Sequence, residues 1–156
     1  MSQAGHDGIE LDTSLGYLLK EASSALRSAM EAVLRPLGMT ITHYSCLELL
    51  AQRPGLSNSD LARGAFVTRQ SMNVLLQTLE REGVVSRPSA PPVGKALPVS
   101  LTPAGRRSLA RATVAVRSVE QRMLSDLTDL DEAAARRILS SIIASLSEGG
   151  ARDPAA

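Results

Sequence analysis

Thr68, Arg69, Gln70, Ser71, Asn73 and Gln77 fall within ten consecutive residues. These side chains suit hydrogen bonding to the edges of nucleic-acid bases. A guanidinium donates two bonds to guanine O6 and N7, the amides of Asn and Gln pair with adenine N6 and N7, and Ser serves several bases. No acidic residue interrupts Thr68 to Thr78, so nothing in the run repels phosphate. The plain alternative is the solvated side of an ordinary helix. What surrounds the run decides between the two.

Other chemistries find little support. His6 and His43 are too few and too widely separated for a metal centre. Cys46 is the single cysteine, which excludes an intramolecular disulfide and a cysteine-rich zinc site. The chain has no glycine-rich phosphate loop, nucleophile motif or Ser/His/Asp set, so neither enzyme activity nor a cofactor is expected. Cys46 lies close to His43 and Tyr44, and a thiol near an imidazole raises the idea of redox sensing. On a leucine-rich helix with no resolving cysteine, it reads better as a small buried hydrophobe.

Local signals dictate the elements that would position the base-reading run. Ser57-Asn58-Ser59-Asp60 is an [ST]-x-x-[DE] capping pattern that opens a short helix with Leu61, Ala62 and Ala65 apolar; Gly64 weakens its end. Thr68 is the expected N-cap of a second helix through Glu82. Met72, Leu75, Leu76 and Leu79 share its inner face, and Gly83 supplies the stop. Val84–Arg87 and Val99–Leu101 read as two short strands around a loop holding Pro88, Pro91, Pro92 and Pro98, with Gly94-Lys95 near its tip. Thr102-Pro103 then caps and opens another helix. Two helices joined by a tight turn and followed by a hairpin form a winged helix-turn-helix, whose second helix enters the major groove of DNA.

The flanks are helical. Thr13 or Ser14 starts a helix to about Leu34, with Leu15, Leu18/Leu19, Ala22, Leu26, Ala29/Met30 and Val33 as its stripe, ended by Pro36 and Gly38. Thr40 or Thr42 starts the next, carrying Ile41, Tyr44, Leu47, Leu49 and Leu50 as a floor for the helix-turn-helix and ending by Arg53-Pro54-Gly55. A long helix to about Asp126 repeats Leu109, Ala112, Val116, Val119, Met123 and Leu127. Asp129–Glu132 begins a last one with Ala135, Ile138/Leu139, Ile142 and Leu146. These late stripes need cover, from the first helix and from a second copy of the chain. Aromatic residues are scarce (Tyr17, Tyr44 and Phe66, with no Trp), so the core is built from aliphatic residues. The segment from Ser57 to Arg107 holds seven basic and three acidic residues, a net +4 in a chain whose formal total is +1. That is a modest local footprint for a polyanion.

In order, Leu-Gly-Met-Thr, Pro-Gly-Leu-Ser-Asn-Ser-Asp-Leu-Ala, Leu-Glu-Arg-Glu-Gly-Val-Val-Ser-Arg and Val-Ser-Leu-Thr-Pro-Ala-Gly resemble the MarR family of bacterial transcriptional regulators, over roughly Leu15 to Leu146. Each piece is weak alone; the set is fairly specific. The wing departs from the pattern. Where the family commonly has Asp-x-Arg, this chain has Val93-Gly94-Lys95. The bracing Asp–Arg pair is therefore absent, and only Lys95 stands in for the Arg that enters the minor groove.

The expected fold is mainly α, a winged helix-turn-helix lobe plus N- and C-terminal dimerisation helices. Residues 1–12 and 148–156 are expected as disordered tails around one MarR-like domain, 13–147. Within it, 39–102 form the DNA-binding lobe, and 13–37 and 103–147 the dimerisation helices. The DNA-binding residues are Arg69, Gln70, Ser71, Asn73 and Gln77 in the major groove, with Thr68 and Arg63 on phosphate and Arg87 and Lys95 on phosphate or the minor groove. The expected partners are double-stranded DNA bearing a near-palindromic operator and a second copy of the chain. The resemblance further implies a small aromatic effector, for which Tyr17, His43 and Tyr44 are the candidate contacts. With no signal-peptide pattern and no apolar run of membrane-spanning length, a cytoplasmic protein is expected. The alternative is a winged-helix protein–protein module that never touches DNA.

Overall fold

Six α-helices and one two-stranded hairpin make up residues 8–87 and 98–148, the parts of the chain that the computed structural model describes. The chain divides into two units after Val119.

In the first unit, each α-helix starts at a side-chain cap. Ser14 opens α1 (Leu15–Leu34) by accepting the Tyr17 N–H at 3.2 Å. Leu34 is buried and Met30 and Val33 pack on the core, whereas Leu15, Leu18 and Leu26 stay exposed. A 3₁₀ turn, Arg35–Leu37, closes on Gly38 at φ 70°, a left-handed position suited to glycine. Thr40 then caps α2 (Ile41–Gln52), which buries Cys46, Leu47 and Leu50. As read from the sequence, Cys46 is a core residue. Burial pushes its thiol pKa up to about 12, which leaves almost no thiolate at neutral pH.

Ser57 and Asp60 form the expected capping box at α3 (Asn58–Gly64), each backbone N–H bonded to the other's side chain at 3.1–3.2 Å. Hydrogen bonds from Ser57, then Arg63, hold the Asp60 carboxyl below its ordinary range. Thr68 caps α4 (Arg69–Arg81), whose Met72, Leu76 and Leu79 are fully buried in one core cluster with Leu47, Leu50, Leu61 and Ala62 of α2 and α3.

The hairpin pairs β1 (Val85–Ser86) with β2 (Ser100–Leu101), Val85 opposite Leu101 and Ser86 opposite Ser100. It is shorter than the expected strands. Val99 is buried but lies outside the ladder beside Pro98, which has no N–H to give. Thr102 joins hairpin to helix. Its N–H bonds the Val84 carbonyl at 3.2 Å, and its hydroxyl donates to the Gly83 carbonyl at 2.6 Å while accepting the Gly105 N–H at 3.1 Å. Here α5 (Pro103–Leu124) begins. Through Val119 it buries Leu109, Ala112, Val116 and Val119.

In the second unit α5 ends at Leu124, slightly before the expected Asp126. A Thr128–Asp131 capping box starts α6 (Asp129–Glu148). On α6, Ile138, Leu139, Ile143 and Leu146 are all exposed.

Candidate nucleic-acid interface

The site begins at the turn between α3 and α4. Two nested hydrogen bonds close α3: Val67 N–H to the Ala62 carbonyl at 3.0 Å and Phe66 N–H to the Arg63 carbonyl at 3.3 Å. Phe66 sits between them at φ 58°. Thr68 is extended, and its Oγ1 accepts the Ser71 N–H at 3.0 Å and donates to Ser71 Oγ at 2.9 Å. The first turn of α4 is thereby fixed, while other N–H groups of that turn point along the helix axis away from the helix. They add positive potential at the end where Arg69 stands.

The structure brings the predicted residues of this helix onto its outer side. Thr68, Arg69, Gln70, Ser71 and Gln77 are exposed and Asn73 is half-buried; Gln70 and Gln77 lie opposite the buried Met72, Leu76 and Leu79, while Arg69 and Asn73 flank that face. Glu80 and Glu82 appear only at the far end. One exposed residue on this face was missed. Val74 is 58% exposed, between Gln70 and Gln77 at one-turn spacing. Its position relative to those two amides was the available signal. An aliphatic side chain there suits a thymine methyl group.

The three flanking cations fare differently. Arg63 is exposed and ion-paired with Asp60 one turn earlier on α3. Arg87 is half-buried at the end of β1, with Nε 3.8 Å from a Glu80 carboxylate oxygen, so it braces the foot of the hairpin against α4. Lys95, with the Val93-Gly94-Lys95 departure, lies outside the described residues.

The candidate effector contacts are spread over two helices. Tyr17 lines a shallow depression formed by its own segment, Leu11 to Leu18 and Glu21, to which His43 and Tyr44 do not contribute. Tyr44 packs on the core of α2. His43 is half-buried, its Nε2 sealed from solvent without a hydrogen-bond partner among the described residues. Burial lowers its pKa below 6.5, against the opposing pull of the Glu82 carboxylate. Among the described residues no group of His, Cys, Asp and Glu is placed to hold a metal ion, and no helix is long and apolar enough to cross a membrane.

Comparison with known proteins bears on the same segment. A model of the MarR family matches residues 37–96, a range that includes α2, α3, α4 and β1. The HTH-type transcriptional repressor Rv2887 of Mycobacterium tuberculosis is 42% identical over 132 residues, covering 85% of this chain and 95% of the repressor. The crystal structure of Rv2887 in complex with DNA superposes with a TM-score of 0.70 at 41% identity, covering 84% of this chain and 98% of that one. Its complex with salicylic acid gives 0.68 at 42% identity, covering 84% and 97%.

Proposed function

The chain belongs to the MarR family of transcriptional regulators, and from that premise we propose that two copies bind a near-palindromic operator and repress transcription. The observation that carries this reading is the outer face of α4, where Arg69, Gln70, Ser71 and Gln77 stand exposed on a helix whose inner face is locked into the core. Each copy lays α4 in the major groove, with half-sites about one helical turn apart. Arg69, Gln70, Ser71, Asn73 and Gln77 read base edges, and Val74 contacts a thymine methyl. Thr68, Arg63, Arg87 and Lys95 hold phosphate or the minor groove and set the register. Such a protein works in the cytoplasm, as a regulator and not as an enzyme.

A small aromatic acid is the effector that fits the family, since a 42% identical relative has been crystallised with salicylic acid. Tyr17, His43 and Tyr44 are its candidate contacts. Its action would be release of the operator.

The test is fluorescence anisotropy across a salt series, with DNA from upstream of the protein's own gene and a scrambled duplex of equal length. Nanomolar binding to the first and far weaker binding to the second is expected, with affinity falling steeply as salt rises. Asn73→Ala should cost ~1–3 kcal/mol at one base pair and relax specificity there. An equal loss on every sequence would remove Asn73 from base reading. Binding that ignores salt would remove the phosphate contacts.

A further inference from the structure

Phe66 has the most exposed large apolar side chain among the described residues, with 94% of its surface open. It is also the one non-glycine residue among them at positive φ. The nested hydrogen bonds around it place it at the left-handed position that closes a helix, where glycine is the usual occupant. A bulky side chain there is an outlier. Elsewhere the chain meets the same need with glycine, at Gly38 and Gly83, with φ of 70° and 75°. Among the described residues little compensates for the aromatic ring, which is almost fully exposed. Strain kept at an exposed position directs attention to what the side chain meets outside the subunit.

We propose that Phe66 makes an apolar contact with the duplex at the leading edge of α4, a contact that rests on the DNA-binding reading above. In the sequence Phe66 stands two residues before the Thr68 cap and three from each of Arg63 and Arg69, both exposed. Every other exposed side chain from Arg63 to Ser71 is polar or cationic. A surface of that charge suits a polyanion, and the polyanion offers apolar carbon in two places: thymine methyl groups and the deoxyribose edge. The contact adds affinity without releasing a counterion.

The probe is the tightest duplex that the wild-type protein selects from random sequence, and the same duplex with deoxyuridine replacing single thymines. Anisotropy is measured for wild type, Phe66→Asn, Phe66→Tyr and Arg69→Ala, with thermal unfolding of each. Phe66→Asn should bind about tenfold weaker with an unchanged salt slope. Its melting temperature should hold or rise, because Asn tolerates the left-handed backbone. Phe66→Tyr should bind like wild type. If one uracil weakens wild type but not Phe66→Asn, the ring sits on that methyl; if none does, it sits on the sugar edge. Wild-type affinity in Phe66→Asn, while Arg69→Ala has lost binding, would overturn the Phe66 contact alone. So would a loss in Phe66→Asn that tracks a lowered melting temperature or weakened self-association. Selection of no sequence by the wild type would overturn both this contact and the DNA-binding reading.

Discussion

His43 illustrates how one side chain couples burial to pH. Its Nε2 is sealed and unpaired among the described residues, and burial depresses its pKa below 6.5 despite Glu82. Between that depressed value and 6.5 the unfolded chain binds a proton that the folded chain does not. Stability is therefore complete above 6.5, declines as the pH drops through this window and levels off below the folded value. Urea midpoints measured from about pH 7.5 down to about pH 5 should fall in the wild type. His43→Gln should be flat over the same range. Asp60 and Asp131, whose carboxyls are held low by Ser57 and Thr128, titrate below this window and do not blur it. A parallel decline in both proteins would assign the effect elsewhere. At this scale the exposed polar residues at the start of α4 were legible, because their spacing against Met72, Leu76 and Leu79 set them off the buried face; the base-reading role is the proposal built on them. The sequence hid Phe66, because an aromatic at a helix stop has no local signal when Gly64 stands two residues away.

At the scale of elements, the Leu-Thr-x-x-Gly piece acquires a physical cause. A Cβ added at Gly105 would lie 2.0 Å from the Val84 carbonyl oxygen, so the first turn of α5 can seat on the hairpin only with no side chain there. Backbone must move to admit a methyl group, and Gly105→Ala should cost ~1–3 kcal/mol or more in urea unfolding. Gly64 makes a useful contrast. Its added Cβ would meet Leu49 Cδ1 at 2.9 Å, the end of a flexible side chain. Gly64→Ala should therefore cost distinctly less, and equal losses would mean that the α5 seat also relaxes. Helix starts were legible because Ser14, Thr40, Ser57, Thr68 and Thr102 act through bonds to residues three positions on. Thr128 obeys the same rule with Asp131 and was passed over, though the pattern was present. Strand ends were less legible. Pairing depends on the opposite strand, and the residue types of Val84 and Val99 suit a strand on either side of the boundary.

For the whole molecule, periodicity revealed which residues are apolar but not what covers them. On α1, Leu15 and Leu18 are more than half exposed; on α6, Ile143 is 64% and Leu146 76% exposed. Large apolar side chains repeating along one helix face are unusual on a solitary subunit surface. In the two-copy arrangement proposed above, a second copy related by a two-fold axis covers such stripes and at the same time presents two α4 helices to one duplex. The two roles are then linked by mass action. Sedimentation should give twice the mass of one chain, and the melting temperature should rise with protein concentration. A charge at the stripe, as in Ile143→Glu, should shift the population to single chains that keep their helical spectrum. Each such chain carries one α4 and half the phosphate contacts, so the slope of log affinity against log salt should fall to about half that of the wild type. Protection on the operator should shrink from two half-sites to one. A variant that is monomeric yet keeps the full salt slope and both half-sites would break the link between the exposed helix stripes and operator recognition.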